Sequence, residues 1–133
     1  MREIQGFFDK LYFSESVLGP LSIDGGRLIV PISGLFVLAG HPLQEEGGGP
    51  YKGELVFDGV LDSRRTVTEY IGDSRRPEGF KAPKEVVDEV SADAAQAISS
   101  VQRYGFEGYQ DQPSAWIDNW VIQAQSFKLI LNR

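Results

Sequence analysis

The sequence predicts an α+β fold in which a mostly antiparallel sheet packs against one amphipathic helix. The closing stretch, residues 115–131, alternates apolar and polar side chains, which is typical of a strand with one buried face. Several shorter runs are rich in β-branched and aromatic residues, whereas residues 84–103 show a helical period. An all-β sandwich with helical insertions is the alternative. The length of 133 residues predicts a single globular domain, residues 1–133.

The closing stretch contains both tryptophans of the chain, and its alternation changes phase once. Trp120 begins an apolar series at even positions, and from Phe127 onward the apolar series occupies odd positions. Because a slip of one residue turns every side chain to the other face, we expect a bulge near Gln125 and Ser126. A strand that crosses between two packed surfaces is the second interpretation. Trp120 and Phe127 are predicted to be core residues.

Residues 84–103 give the clearest helical signal in the chain. The apolar side chains fall on one side of a helical wheel, and the acidic side chains fall on the other. Pro83 precedes the run and Gly105 follows it, as expected for the start and the end of a helix. The sequence therefore predicts an amphipathic helix over residues 84–103 that packs on the sheet.

Two further elements are predicted in the first half of the chain. Residues 2–13 space their large apolar side chains as a helix does, although Gly6 and the aromatic content keep a strand open there. Residues 51–60 and 66–71 read as two strands of a hairpin, with the turn near Asp58 or Asp62. The glycine-rich residues 40–50 between these elements read as a surface loop.

The charge is unevenly distributed along the chain. The net charge is −6, and residues 85–127 account for all of it, with seven acidic residues and one arginine. This balance disfavours a nucleic-acid partner and favours a basic protein partner. No apolar run has membrane-spanning length, and no secretory signal is visible. With no cysteine in the chain, these features predict a cytoplasmic protein that does not bind membranes.

Residues able to carry catalysis or hold a metal are sparse. His41 is the single histidine, and Glu45 and Glu46 beside it lie in a flexible, glycine-rich context that is a poor metal site. The glycines at 47–49 lack the following Lys-Ser or Lys-Thr pair of a phosphate-binding loop. No serine lies in a nucleophile elbow. We therefore predict no catalytic residue, no metal and no cofactor, and expect that the protein is not an enzyme.

The acidic and aromatic residues of the second half form the predicted partner-binding set. Tryptophan is a frequent anchor of protein interfaces, and Trp116 stands before the buried alternation of the closing strand begins. The acids of the predicted helix and of the segment that leads into the closing strand provide the negative charge. The predicted partner-binding residues are Glu85, Asp88, Glu89, Asp93, Asp111, Trp116 and Asp118.

The closing segment also resembles known proteins. The letters F-E-G-Y, followed by A-W-I-D-N-W-V-I-Q-A-Q-S-F-K-L, resemble the C-terminal strands of small bacterial proteins. Immunity proteins of polymorphic or contact-dependent toxin systems are among these. The resemblance covers the last quarter of the chain and brings no functional motif with it. It implies a non-catalytic cytoplasmic protein that masks a basic toxin domain with an acidic face.

A small-molecule-binding protein or an enzyme is the alternative function. Its pocket would lie under the glycine-rich loop at residues 40–50. A concave, polar-lined pocket beside that loop is the feature that this alternative requires.

Overall fold

The fold is all-β, and the α+β prediction is wrong. The computed structural model describes residues 2–69, 84–88, 101–111 and 114–131, and 71% of the described residues lie in strands. Two short 3₁₀ turns occur as well, at Phe8–Lys10 and Pro42–Glu46. The described strands are β1 (Arg2–Gln5), β2 (Leu11–Tyr12), β3 (Val17–Leu18), β4 (Ser22–Asp24), β5 (Arg27–Val37), β6 (Tyr51–Glu69), β7 (Lys84–Asp88), β8 (Gln102–Gln110) and β9 (Ala115–Leu131).

Five of these strands close into a barrel, in the order β3, β5, β6, β9, β8 and back to β3. The pairings are antiparallel except that between β3 and β8, which is parallel. The remaining strands extend this barrel: β1 pairs with β9, β7 pairs with β6, and β2 and β4 pair with β5. The all-β alternative is therefore confirmed in class, with a barrel in place of a sandwich.

The long strands β6 and β9 form the spine of the barrel. They pair from Gly53 opposite Leu131 to Glu69 opposite Ala115. The predicted hairpin between residues 51–60 and 66–71 is therefore wrong, since residues 51–69 continue as one strand. Gly59, which has a φ of 63°, bends β6 within the strand where a turn was expected. A continuous partner in β9 satisfies the backbone of β6 on both sides of that bend.

The buried face of β9 changes twice along the strand. One change lies where a bulge was predicted, between Ala124 and Phe127, which are both buried. The register with β6 is the same on both sides of this change, so a bulge at Gln125 and Ser126 is not what the pairing shows. The register of β9 shifts instead near Asn119, against both β6 and β8. Asn119 adopts a left-handed φ of 48°, a conformation that asparagine tolerates better than most residues.

The predicted helix over residues 84–103 is wrong at both of its ends. Residues 84–88 form β7, which pairs with residues 63–67 of β6, and residues 102 and 103 begin β8. Val87 is 51% exposed, although the helical wheel placed it on the buried side. Adjacent valines favour a strand, and pairing along the edge of β6 overrides the local helical period. Residues 89–100 lie outside the described residues.

The N-terminal helix is also wrong, and two residues explain why. Gly6 and Phe7 have φ values of 76° and 62°, which an α-helix of L-residues cannot accommodate in its interior. The chain therefore runs as β1, turns sharply and continues as β2. Ile4 and Leu11 are buried, whereas Phe7 is 45% exposed, so the helical spacing of these side chains does not produce one buried face.

The hydrophobic core fills the barrel with side chains from strands that are distant in sequence. Trp120 and Phe127 belong to it, with exposures of 1% and 2%, which confirms both core predictions. Phe57 of β6 contacts Phe127, with ring centroids 5.1 Å apart. Across the part of the chain that the structure describes, no helix has the length and apolar character needed to cross a membrane.

Candidate binding cleft

The N-terminal turn packs an aromatic ring against the core of the barrel. The left-handed backbone at Gly6 and Phe7 reverses the chain, and Phe8 follows at once in the first 3₁₀ turn. The Phe8 ring lies 5.0 Å from that of Phe127 and 5.1 Å from that of Tyr104, with both contacts edge-to-face. Burial among these side chains raises the pKa of the Tyr104 hydroxyl above its usual 10.0. Such edge-to-face contacts add to the stabilisation from burial alone.

Strand β8 alternates between the core and the outside. Tyr104 and Phe106 are buried, whereas Gly105 and Glu107 are exposed. A side chain added at Gly105 would find only the backbone oxygen of Trp120 within 4 Å, at 3.9 Å. The outer surface of β8 is therefore open at Gly105, and the strand presents a smooth backbone there.

A cleft of about 470 Å³ lies between β8 and the N-terminal turn, and is called the aromatic cleft below. Its apolar lining consists mainly of aromatic rings, and the exposed carboxylates of Asp9 and Glu107 are its charged groups. Neither carboxylate forms an ion pair with another described residue. The described residues that line the aromatic cleft are Phe8, Asp9, Leu11, Phe13, Ser14, Gly105, Phe106, Glu107 and Trp116.

The lining of the aromatic cleft combines aromatic rings with carboxylates. Among the described residues of the aromatic cleft, the functional groups are two carboxylates and one hydroxyl, with no imidazole, thiol or amine beside them. Aromatic faces together with carboxylates attract cations, because the ring quadrupole and the negative charge act in the same sense. The cleft can therefore accept lysine or arginine side chains, with apolar groups beside them.

Trp116 is the predicted partner-binding residue that reaches this cleft. It is half-buried, and it pairs with Tyr109 of β8 and Thr68 of β6. Asp118, two residues further along β9, is half-buried next to the register shift. Asp111 is exposed in the turn after β8, and lines a second cleft of about 360 Å³ together with Lys52 and others. The structure thus separates Asp111 from Trp116.

The acids that were expected on a helix have different surroundings. Glu85 lies on β7, in a long ion pair with Arg64 in which both side chains are more than half exposed. The side chain of Asp88 is 7% exposed, and its carboxylate accepts hydrogen bonds from Ser63 Oγ at 2.7 Å and Arg65 Nη2 at 3.1 Å. Glu89 and Asp93 lie outside the described residues.

Asp88 belongs to a buried polar network that ties three strands together. Trp120 Nε1 donates a hydrogen bond to Ser63 Oγ over 2.9 Å, and Ser63 in turn donates to Asp88. The Arg65 guanidinium lies 4.9 Å from the centroid of the Trp120 ring, within the range of a cation–π contact. Buried charges in such a network hold strands in register. The Asp88 carboxylate therefore has a structural role and is not available to a partner. Arg64 and Arg65 are thus both paired with acidic residues of β7.

The glycine-rich loop at residues 40–50 is packed against the body of the protein. His41 is 3% exposed and caps the second 3₁₀ turn, since its Nδ1 accepts a hydrogen bond from the Leu43 amide over 3.0 Å. Burial lowers the pKa of His41 below its usual 6.5. Neither of the two clefts described above has a residue of this loop in its lining. The pocket expected under the loop is not part of either cleft.

Sequence reasoning missed most of the aromatic cleft. Asp9 and Glu107 were not singled out, and Phe8 was read as part of a helix. The signal that was present is the segment Y-G-F-E-G-Y at residues 104–109, where aromatic residues alternate with small or charged ones. That alternation identifies the buried face of β8, but it gives no information on which segment faces its outer edge.

Comparisons of this chain with protein-family models, with curated proteins and with solved structures give no match.

Proposed function

We propose that this protein is a non-catalytic protein-binding module whose aromatic cleft receives a basic partner. The aromatic cleft itself is the observation that carries the proposal, because partly exposed rings lie there beside two carboxylates that form no ion pair with another described residue. Aromatic residues that are partly exposed in concave sites are typical anchors of protein interfaces. The overall charge of −6 would speed the approach of a basic partner.

The more specific form of the proposal is an immunity-like inhibitor that masks a basic toxin domain in the cytoplasm. The resemblance of the closing segment to immunity proteins supports this form. The contact surface in this proposal is the aromatic cleft, however, and not the acidic helix expected from the sequence. Asp88 is engaged by Ser63 and Arg65, whereas Asp9 and Glu107 are exposed carboxylates that lie beside the rings of the aromatic cleft.

The test begins with affinity purification from extracts of the native host. Three tagged proteins are compared: the wild type, the cleft variant Asp9→Asn/Glu107→Gln/Trp116→Ala, and a control variant, Asp24→Asn/Glu85→Gln, altered at exposed acids outside the cleft. Each captured protein is then purified, and its dissociation constant is measured by calorimetry at low and high salt. A partner identified in this way is tested in growth assays for toxicity and for protection by this protein.

We expect a basic partner that binds the wild type and the control equally. Loss of an aromatic anchor and two charges should weaken its binding to the cleft variant by tenfold or more, about 1.4 kcal/mol or greater. Added salt should weaken the wild-type complex because the carboxylates at the cleft are exposed. Equal binding by the cleft variant, or a partner without excess positive charge, would contradict the proposal.

A further inference from the structure

Within the described residues, one edge of β8 has no strand beside it along most of its length. Strand β8 pairs with β9 along its whole length, from Gln102 to Gln110. On its other side, within the described residues, it pairs only with β3, at Tyr109 and Gln110. The outward backbone groups of residues 102–108 therefore have no described strand opposite them. An open edge of this kind is a template for another strand.

The aromatic cleft lies along this open edge. Its lining includes Gly105, Phe106 and Glu107 of β8, and also Phe8, Asp9, Leu11, Phe13 and Ser14 of the N-terminal segment and Trp116 of β9. Gly105 leaves the outer face of β8 uncovered beside this edge, since a Cβ there would meet only the backbone oxygen of Trp120, at 3.9 Å. Binding by strand addition requires such a bare edge together with pockets for alternate side chains, and this place provides both.

Building on the proposed function, we infer that the partner binds as an extended segment added to β8 as a new strand. Its backbone would pair with residues 102–108, since alternate amides of an extended chain point toward the edge. Lysine or arginine side chains on one face of the segment would reach Asp9 and Glu107. Apolar side chains on the other face would pack on the partly exposed rings of Phe8 and Phe13.

A second copy of this chain is a poorer occupant for the edge. Two molecules that each carry a charge of −6 repel one another, and they would bring the exposed Glu107 carboxylates into the same interface. Like charges placed opposite each other across strands are destabilising. A basic segment from another protein reverses the sign of this interaction, so charge complementarity favours it.

The probe is the octapeptide acetyl-(Lys-Val)₄-amide, whose extended length of about 26 Å, at roughly 3.3 Å per residue, spans the open edge of β8. Two controls keep its length and change one property each. Acetyl-(Glu-Val)₄-amide reverses the charge, and acetyl-Lys₄-Val₄-amide removes the alternation. Two further peptides carry N-methyl groups on either all lysine amides or all valine amides. Affinities are measured by calorimetry against the full chain.

Strand addition predicts a register effect that side-chain binding does not. Alternate amides of a strand point to opposite sides, so only one of the two methylated peptides should lose its bonds to β8. That peptide should bind about tenfold or more weakly than the other, given roughly 1 kcal/mol for each lost hydrogen bond. The acidic and the block peptides should both bind more weakly than the alternating basic one. Backbone amides of β8 should exchange hydrogen more slowly in the complex.

A change at Gly105 provides a variant that leaves the fold intact. Gly105→Val fills the open space above β8, and valine favours strands, so the variant should be at least as stable as the wild type. Its affinity for the alternating basic peptide should nevertheless fall at least tenfold. Gly105→Ala, with a smaller side chain, should give an intermediate loss.

The outcomes separate the two proposals. Binding of the basic peptide that is the same for both methylated forms overturns strand addition and leaves the aromatic cleft as a binding site. Binding that does not favour the basic over the acidic peptide overturns the basic-partner proposal as well. No peptide binding, together with a dimer in light scattering that Gly105→Val dissociates, would assign the edge to a second copy and overturn the inference.

Discussion

Two tryptophans in one strand have opposite surroundings. Trp120 is 1% exposed, its indole nitrogen donates a hydrogen bond to Ser63, and its ring stacks on Phe106 with centroids 4.7 Å apart. Trp116 is half-buried and lines the aromatic cleft. In a regular strand, residues separated by an even number of positions share a face. These two do not, because the register of β9 shifts by one residue between them, near Asn119.

Strand β9 thus provides both a core anchor, Trp120, and a surface anchor, Trp116. Along β9, Trp116 lies between the buried residues Ala115 and Ile117, whereas Trp120 is itself in the buried series with Ile122. The extra residue at the bulge re-aims the side chains on one side of it, which is a common role of β-bulges beside functional sites. The position of the bulge, rather than the composition of the strand, determines which tryptophan a partner could contact.

Truncation of the two tryptophans should give the largest contrast. Trp120→Ala should lower the free energy of unfolding by about 3–5 kcal/mol, because it leaves a large cavity and removes the hydrogen bond that the indole donates to Ser63. Trp116→Ala should lower it by only about 1 kcal/mol, since a partly exposed ring loses less burial. Urea unfolding followed by circular dichroism measures both. Losses of similar size would mean that the two residues are equally structural.

Alanine substitutions at two acidic residues of β7 should show a similar contrast in the free energy of unfolding, with a somewhat smaller difference. Asp88→Ala leaves the buried charge of Arg65 without its partner, and should cost about 3 kcal/mol of stability. Glu85→Ala removes an exposed ion pair with Arg64, and should change stability by no more than about 0.5 kcal/mol. The same urea titration checks both variants. A cost at Glu85 equal to that at Asp88 would refute the assignment of Asp88 to the polar network.

The bulge can be tested at Asn119. Asn119→Val places a β-branched residue in a left-handed conformation, and should cost about 1–2 kcal/mol. Asn119→Gly, which accepts this conformation freely, should leave stability unchanged within about 0.5 kcal/mol. Thermal unfolding compares the two. If valine were tolerated as well as glycine, the left-handed bulge would not be what separates the two tryptophans.

Titration of His41 should make the free energy of unfolding slightly dependent on pH. Its pKa is lower in the folded protein than the usual 6.5, so the unfolded chain binds the proton more readily. Stability that is fully present above about pH 6.5 is therefore lost as the pH falls toward the folded pKa, by about 1.4 kcal/mol for each unit between the two. His41→Asn keeps an acceptor for the Leu43 amide but does not titrate. In urea titrations from pH 7.5 to 5, the wild type should lose more stability than this variant, and parallel curves would contradict the account.

The sequence predicted the closing strand and two of its core residues, but not the strand's partners. Trp120 and Phe127 could be placed because alternation within one strand is a local signal. The helix at residues 84–103 was wrong because pairing with β6 overrides a local period. The turn expected near Asp58 became a bend inside β6, since β9 runs beside it throughout. The aromatic cleft joins residues 8–14 to residues 105–107 and 116, and no local pattern predicts that contact.

The most direct measurement follows peptide binding at the aromatic cleft through the fluorescence of Trp116. The chain has two tryptophans, so Trp120→Phe leaves Trp116 as the sole one, and Trp116→Phe leaves only Trp120. Each variant is titrated with acetyl-(Lys-Val)₄-amide while tryptophan emission is recorded. We predict a saturable blue shift for the variant that retains Trp116, and little change for the variant that retains Trp120. A shift in the second variant, or none in the first, would contradict the central claim that the aromatic cleft is the binding site.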